Sequence, residues 1–581
     1  MAQLTPEITN ALLELLNGLS SADNSLRSQA EKILNETWCQ KDRVDILLVF
    51  LADQAVGGSS DALKAFAAVL LRRISIKTPP KMVSVTERTI SSVNGHALIQ
   101  IRQSLLKGFV SPQSNNVRHK LSDAIAEIAK DDVPGEWPEL LPALFNATKN
   151  EDPSFRESAF RIFTSNPGLI DLQYINEILP VYHSGFEDGN DDVRIATCNA
   201  FVAFFQQLPK SQWATVQPLL PSLMNSLPIL LQNGKDSALA SLLESLIDLV
   251  DIAPKLFKDM FQTIIQFCAA VSKNKELDSS ARLSALELLT AFSESSPNMC
   301  KQQPEYTQEI VVITLSLMTE VCVDDDDAAE WNNADNSEED DEEEVEYDSA
   351  RQSLDRVALK LGGESLAAPL FQLIPPMLAS NNWRERQAAL MAISSAAEGC
   401  SDVLISEIPK LLDLILPALN DQHPRVQYAT CNALGQISTD FADVIQRTAG
   451  DRIIPALVSR LNNQTVPRVQ AHAAAALVNF SENATKEVLE PYLDDLLTNL
   501  LTLLQSPKRY VQEQVLTTIA IIADAAEQKF VKYYDTLMPL LINVLKTDMG
   551  DENRLLKAKC IECSTLIALA VGIDKFSQHS S

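Results

Sequence analysis

The sequence contains a short unit that recurs along the chain, and this repeat constrains the fold more than any other feature. Each unit has a proline or turn residue, then an arginine, then an alanine-rich amphipathic stretch, as in DDVRIATCNAFVAFF and HPRVQYATCNALGQI. Most neighbouring arginines are 38 to 43 residues apart or about twice that. They are Arg118, Arg156, Arg194, Arg282, Arg384, Arg425, Arg468 and Arg554. A fixed period of this length predicts one repeat array, although 581 residues would otherwise suggest several separate domains.

A second predicted helix precedes each alanine-rich helix, so the unit is a helical hairpin with an outer and an inner helix. In four units a proline stands 13 to 15 residues before the arginine position, where we expect it to bend the outer helix. These prolines are Pro142, Pro180, Pro455 and Pro539. We count about thirteen hairpins, and because none can bury its apolar face alone, they must stack. The predicted fold is an all-α HEAT-repeat solenoid, a right-handed superhelix without strands.

The net charge of −29 disfavours direct binding to nucleic acid or to anionic membranes, and it favours basic partners. The amino-terminal stretch has no basic region before its apolar residues, so we predict no secretory signal. The nine scattered cysteines are then expected to be reduced thiols in a cytosolic or nuclear protein, and we predict no membrane insertion.

Sequence signals for catalysis are weak. Gly234-Lys235-Asp236 lacks the first glycine and the final Ser or Thr of a phosphate-binding loop. Cys560 and Cys563 form a single CxxC pair without a second pair or a nearby histidine, which is too little for a zinc site. We therefore predict that the chain is not an enzyme and has no cofactor or metal.

An acidic insert interrupts the repeat. The step from Arg282 to Arg384 is 102 residues, roughly 20 more than two units, and the surplus coincides with VDDDDAAEWNNADNSEEDDEEEVEYDS inside the eighth hairpin. Between Asp324 and Asp348 there are fifteen Asp or Glu residues and no Lys or Arg. Such a segment cannot form a core. It is either a solvated loop or a polyanion that engages a basic surface.

A regular series of acidic residues follows the insert, near the carboxyl ends of successive inner helices. These residues, called the carboxylate row here, are 42 or 43 residues apart: Asp355, Glu398, Asp440, Glu482 and Asp524. Residues at equivalent repeat positions lie side by side on a solenoid, so the row predicts a site for lysines or arginines of an extended peptide. Asn432 and Asn479 lie on the same helices and are expected to hold the peptide backbone. Alternatively, the ends of the inner helices are simply polar.

Together these features resemble the importin β family. SLRSQAEKILNETW followed by FAAVLLRRI is similar to its amino-terminal homology region, including Arg27, Ala30, Glu31 and Leu34. QIRQSLLKGF, VRHKLSDAIAEIAKDD, DIAPKLFKDMFQ, DDDDAAEW, DRVALKLGGE, HPRVQYATCNALGQISTDF and VQAHAAAALVNFSEN resemble the importin beta-3 subfamily, and the likeness extends over essentially the whole chain. Members of the family are about twice as long, so we expect this chain to correspond to the amino-terminal half.

The resemblance implies nuclear import. Such receptors bind Lys-rich signals of cargo such as ribosomal proteins and histones, dock on Phe-Gly nucleoporins, release cargo on binding Ran-GTP, and shuttle between cytoplasm and nucleus. It places Ran against the first three inner helices and the acidic insert, and it places cargo on the inner helices after the insert. The implied Ran contacts are Glu31, Asp123, Glu127, Asp324, Asp325, Asp326, Asp327, Glu338, Glu339, Asp340, Asp341, Glu342, Glu343 and Glu344. The alternative is a HEAT-repeat scaffold subunit, as in a phosphatase complex.

These predictions divide the chain into five segments. Residues 1–110 are the amino-terminal homology region, which faces Ran, and residues 111–322 are further HEAT repeats. Residues 323–348 are the acidic loop in the eighth repeat, and residues 349–571 are repeats with cargo-facing inner helices. Residues 572–581 are expected to be the truncated end of a longer array, because the last hairpin has no obvious polar cap.

Overall fold

The computed structural model describes residues 4–76, 88–130, 136–170, 172–321, 328–333, 345–462, 466–546 and 554–577. Within these ranges helices are the only regular secondary structure, and they pair into thirteen hairpins. The prediction of an all-α array of about thirteen hairpins is confirmed. Residues 324–327 and 338–344, for which contacts with Ran were predicted, lie outside the described ranges.

The chain forms two compact units, which we describe separately. In the first, Met1–Phe257, inner helices α4, α6, α8, α10 and α13 pack on one another in that order. The helices of this unit are α1 Pro6–Leu19, α2 Asn24–Ile33, α3 Val44–Gly57, α4 Asp61–Ile76, α5 Gly95–Val110, α6 Asn115–Ile128, α7 Leu140–Ala147, α8 Pro153–Ser165, α9 Ile175–Phe186, α10 Asp191–Gln207, α11 Trp213–Val216, α12 Leu220–Gln232 and α13 Asp236–Ile252.

In the second unit, Lys258–Ser581, the inner helices α15, α19, α21, α24, α26, α29 and α31 pack in that order. The described part of the acidic insert, α18, lies between α17 and α19 in the chain. The helices are α14 Phe261–Lys273, α15 Ser279–Ser295, α16 Pro297–Lys301, α17 Pro304–Met318, α18 Ala328–Asn333, α19 Val345–Leu361, α20 Gly363–Leu378, α21 Trp383–Ala396, α22 Ser401–Leu404, α23 Ile408–Ile415, α24 Pro424–Asp440, α25 Val444–Leu461, α26 Pro467–Ser481, α27 Lys486–Leu489, α28 Leu493–Leu503, α29 Arg509–Ala526, α30 Val531–Lys546, α31 Arg554–Val571 and α32 Ile573–Phe576.

Shorter helices connect many of these elements. One turn of π-helix, Leu34–Trp38, extends α2. The 3₁₀ segments are Thr89–Ser92, Pro167–Leu169, Leu172–Tyr174, Lys210–Gln212, Gln217–Leu219, Pro254–Met260, Ile405–Glu407, Leu416–Asn420, Glu490–Tyr492 and Glu527–Phe530.

The residues of the repeat motif explain where the inner helices begin. The turn residue is an N-cap: Asp152, Asn190 and Asn382 each accept a hydrogen bond from a backbone N–H in the first turn of α8, α10 and α21. The arginine position then lies in the first turn, and several of these side chains are buried. Arg118, for example, donates to the carbonyl oxygens of Phe109 and Ser111, at 3.0 and 2.9 Å. The motif therefore caps the inner helix and closes the turn before it.

Three of the four prolines lie inside outer helices, where they were predicted. Pro180, Pro455 and Pro539 lie inside the outer helices α9, α25 and α30. Pro142, in contrast, is the third residue of α7. The first N–H groups of a helix have no partner within the helix, so a proline there removes no helical hydrogen bond. Contrary to the prediction, Pro142 therefore does not interrupt the hydrogen bonds of its helix.

No single helix in the described ranges is long and apolar enough to cross a membrane. One pair of helices, Trp383–Ala396 with Ser401–Asn420, meets the length and composition criteria together, but it is bent by 99°.

Candidate functional site

The candidate site lies on successive inner helices of the second unit. Asp355 is within α19, Glu398 is two residues past the end of α21, and Asp440 is the last residue of α24. Glu482 directly follows α26, and Asp524 is near the end of α29. Since these helices pack in chain order, the carboxylate row does follow neighbouring repeats.

A close backbone contact brings Glu398 towards Asp355. A Cβ atom on the next residue, Gly399, would lie 2.2 Å from the carbonyl carbon of Ala358 in α19, which is far too close for any side chain. Only glycine lets the turn after α21 approach α19 this closely. The turn therefore holds Glu398 beside the helix that carries Asp355.

Asp355, Glu398 and Asp440 are close enough to affect each other electrostatically, and we call these three the acidic cluster. Burial raises the pKa of Asp355, and the negative charge of Glu398 raises it further. Burial also raises the pKa of Asp440 to about 6, with smaller contributions from Glu398 and Asp355. The three carboxyl groups repel one another when all are ionised, so a bound cation would relieve an existing electrostatic strain.

Asp440 has one acceptor atom that nothing in the described structure satisfies. Its Oδ1 accepts a hydrogen bond from Gln436 Nε2 at 2.9 Å, whereas its buried Oδ2 has no hydrogen-bond partner. A buried acceptor without a partner is rare and costly in a folded protein. A lysine ammonium group would provide both a donor and a compensating charge.

The two predicted asparagines differ in their surroundings. Asn432 is already engaged: its Oδ1 accepts from Ser394 Oγ at 2.7 Å, and its Nδ2 lies 3.2 Å from His472 Nε2. Burial lowers the pKa of His472 to about 4, so near neutral pH this ring is uncharged and accepts the bond. The side chain of Asn479 makes no hydrogen bond within the described ranges, and it lies beside Gly435, where a Cβ atom would be 3.2 Å from the Asn479 amide nitrogen. Asn479 is thus the better placed of the two to hold a peptide backbone.

Glu482 and Asp524 are exposed. Among the described residues, no interaction links either of them to the acidic cluster. The structure therefore brings together the first three members of the carboxylate row and leaves the last two as separate surface carboxylates.

The described residues for which Ran contacts were predicted fall into two groups, one exposed and one paired within the chain. Glu31 is exposed on α2. Asp123 and Glu127 on α6 are mostly buried and have partners in the chain: Arg161 Nε lies 2.8 Å from Asp123 Oδ1, and Arg88 Nη2 lies 2.5 Å from Glu127 Oε1. Arg72 is near both carboxylates, at 3.8 and 4.0 Å. These two acids join neighbouring repeats, which sequence reasoning did not foresee.

Sequence reasoning missed three residues that shape this surface. Gly399 sets the approach of Glu398, Gln436 orients Asp440, and Trp331 of the acidic insert packs on α24 and α26. Gly399 could have been noticed, since an isolated glycine in or beside a helical pattern often marks a close approach. A lone tryptophan in an acidic segment gives no comparable signal.

Four family profiles match parts of the chain. A profile described as "IPO5-like, TPR repeats" matches residues 113–267, and one described as "Importin repeat" matches residues 274–368. A profile of the HEAT-like repeat matches residues 383–437. The fourth, "RNAPII transcription regulator C-terminal", matches residues 446–568. The HEAT-like match agrees with the predicted class of solenoid.

Individual relatives match over the full chain. The importin subunit beta-3 of Saccharomyces cerevisiae is 59% identical over 581 residues, which are 100% of this chain and 53% of the relative. Crystal structures of the karyopherin Kap121p bound to the SUMO protease Ulp1p and bound to Nup53p each match with a TM-score of 0.89 and 58% identity, covering 100% of this chain and 54% of theirs. A Kap121p mutant in which two aspartates and one glutamate are changed to lysine matches with a TM-score of 0.91 and 57% identity, covering 99% and 54%. The chain thus spans about half the length of the relatives it matches.

Proposed function

This chain belongs to the importin β family, as a close homologue of importin subunit beta-3, and we propose that it is part of a nuclear transport receptor. It binds Lys-rich localisation signals of basic cargo, such as ribosomal proteins and histones, on the inner helices of the second unit. The receptor carries them through the nuclear pore on Phe-Gly nucleoporins, releases them on binding Ran-GTP, and shuttles between cytoplasm and nucleus.

The observation that carries the proposal is the acidic cluster. Burial and the charge of Glu398 raise the pKa values of Asp355 and Asp440, and Asp440 has a buried, unpaired Oδ2, so the cluster forms a site that a lysine would complete. Asn479 adds a free amide on the next helix, which suits the backbone of an extended peptide.

Solved structures of relatives support cargo binding at the acidic cluster. Kap121p has been crystallised with Ulp1p and with Nup53p, as expected for a receptor that binds cargo and nucleoporins. The three acids changed to lysine in its mutant are 43 and 42 residues apart, the spacing of Asp355, Glu398 and Asp440 here. We therefore assign the first contact with cargo lysines to this cluster.

Binding and release then need no catalysis by this chain. Negative charge along the inner helices attracts basic cargo, and several ion pairs hold it, each of them sensitive to salt. Ran-GTP is proposed to meet Glu31 and the neighbouring inner helices of the first unit, together with the acidic insert. Two ligands that overlap, or that favour different arrangements of the array, weaken each other's binding by linkage. Hydrolysis of GTP belongs to the partner.

The cargo site is tested with the triple variant Asp355→Ala, Glu398→Ala, Asp440→Ala. Titration with a Lys-rich signal peptide should show affinity reduced by about 100-fold, because partly desolvated charged pairs contribute roughly 1.5–3 kcal/mol each and do not act independently. A matched control changes three exposed acids of the outer helices, Asp413, Asp494 and Asp535, to alanine. The control should bind as the parent does. Equal loss in both variants would mean that only net charge matters, and no loss in the triple variant would place the cargo elsewhere.

Ran dependence separates a transport receptor from a rigid HEAT scaffold. In the full-length receptor, Ran locked in its GTP form should displace the peptide, and deletion of residues 337–346 should weaken that displacement. A chain that binds the peptide but never responds to Ran-GTP would be a scaffold, whatever the triple variant shows.

A further inference from the structure

Part of the acidic insert packs on the inner helices of the second unit. The short helix α18 contacts both α24 and α26. Its Trp331 is only 9% exposed and its Asn332 only 7% exposed. Insertion of an apolar ring from such an acidic segment requires a complementary surface, because the charges around it favour solvent.

The surface under Trp331 is built from two successive repeats. The guanidinium carbons of Arg425 and Arg468 lie 5.0 and 4.8 Å from the centre of the indole ring, within the range of cation–π attraction. The ring of Tyr428 meets the indole edge to face at 5.5 Å and 85°. Behind it, Tyr428 stacks on His472 at 3.9 Å. We call these four residues the indole cage: Arg425, Tyr428, Arg468 and His472.

We propose that the indole cage is a recognition site for tryptophan within an acidic peptide, and that Trp331 occupies it as an internal ligand. Charge complementarity supports this occupant. Two arginines give the cage a positive charge, and four consecutive aspartates precede α18 in the sequence, at positions 324–327. Trp331 and the two arginines come from distant parts of the chain, so proximity in sequence does not account for their contact.

The cage is separate from the cargo site but shares its helices. Arg425 is the second residue of α24 and Asp440 is the last, so the two sites are about 22 Å apart along the helix at 1.5 Å per residue. The chain of hydrogen bonds from Ser394 through Asn432 to His472 runs between them. A partner that reaches the amino-terminal halves of α24 and α26 must displace Trp331, whether or not cargo is bound at the acidic cluster.

The experiment uses the peptide DDDDAAEWNNAD, which corresponds to residues 324–335. In calorimetric titrations at low salt, the Trp331→Ala variant should bind this peptide. The parent should bind it at least about tenfold more weakly, because its own Trp331 competes at an effective concentration on the order of millimolar. Changing Arg425 and Arg468 to alanine in the Trp331→Ala background should reduce binding at least tenfold. Changing Arg447 and Arg452 of the outer helix α25 to alanine, a matched loss of two positive charges, should not.

The same peptide with alanine in place of tryptophan separates recognition of the ring from simple charge attraction. If it binds the Trp331→Ala variant as well as the original peptide does, or if that variant binds the original peptide no better than the parent, the proposal is overturned. A second measurement does not depend on the double arginine variant folding. In the parent labelled with 5-fluorotryptophan, excess peptide should move only one of the five tryptophan fluorine resonances, the one that disappears in Trp331→Phe. A spectrum that the peptide leaves unchanged would equally contradict the proposal.

Discussion

At the scale of single residues, Asp440 combines the features of a ligand-binding group with a cost to stability. Its carboxyl group titrates near 6 in the folded chain, chiefly because it is half-buried, whereas an unfolded aspartate titrates near 3.8. A group whose folded pKa is raised favours folding only at low pH, and that contribution is lost as the pH rises through about 4 to 6. At neutral pH the ionised carboxylate therefore destabilises the second unit.

Asp440→Asn should accordingly stabilise the chain while it weakens peptide binding. The amide keeps the acceptor for Gln436 and removes the charge, so we expect a gain of about 1 kcal/mol at pH 7.5 once solvent screening of a half-exposed group is allowed for. Thermal unfolding at pH 7.5 and pH 4.5 measures it, and the gain should shrink at the lower pH. A variant that is equally or less stable at pH 7.5 would show that Asp440 is not strained.

The same titration makes peptide binding depend on pH. A bound lysine lowers the pKa of Asp440, so binding releases a proton when the pH is near 6. Affinity should fall as the pH is lowered from 7.5 to 5.5, and calorimetry in buffers of different ionisation enthalpy should detect the released proton. Asp440→Asn should lose most of this dependence. An unchanged pH profile in that variant would assign the proton to another group.

At the scale of elements, the buried Arg282 of the repeat motif joins one hairpin to the next. Arg282 donates to the carbonyl oxygen of Ser272 at 3.1 Å, and its two terminal nitrogens lie 2.9 and 2.7 Å from the carboxylate of Glu320. Both side chains are less than a tenth exposed. Removal of Arg282 leaves the buried carboxylate of Glu320 with the exposed Lys275, whose Nζ is 3.5 Å from Glu320 Oε1, and without its two closest donors.

Arg282→Ala should therefore lower the free energy of unfolding of the second unit by about 3 kcal/mol. The matched control is Arg452→Ala, whose ion pair with Asp413 is on the surface and should contribute less than about 1 kcal/mol. Urea unfolding followed by helical circular dichroism compares the two. If both variants unfold at the same urea concentration, Arg282 is not a structural clamp.

Prediction from sequence succeeded for elements and was weaker for individual contacts. The 38–43-residue period indicates the hairpins and their number, because every hairpin must present the same apolar face to its neighbours. It also places Asp355, Glu398 and Asp440 on one surface. It could not show that Asn432 is already bonded to Ser394 and His472, or that Asp123 has Arg161 as a partner, since such contacts depend on side chains of other repeats.

At the scale of the whole molecule, the net charge of −29 should control how fast basic ligands arrive. Long-range attraction raises association rates and is screened by salt, whereas the contacts of the bound state govern dissociation. Stopped-flow binding of a Lys-rich peptide should show an association rate at least about tenfold lower at 500 mM than at 50 mM salt, with a smaller change in dissociation. An association rate that is independent of salt would show that the charge does not steer the ligand.

The tight turn at Gly399 helps to set the spacing of the carboxylates along the proposed peptide site. Packed helices lie about 8–10 Å apart, and an extended chain advances about 3.3–3.6 Å per residue, so successive carboxylates of the acidic cluster face about every third residue of a bound peptide. Under the proposed cargo binding, the cluster selects the interval between positive charges of the peptide, and the position of Glu398 relative to α19 depends on Gly399. Localisation signals of different composition are then expected to bind when their positive charges keep this interval. A single inserted residue is expected to weaken binding of a Lys-rich signal, because it moves the following lysines away from their carboxylates.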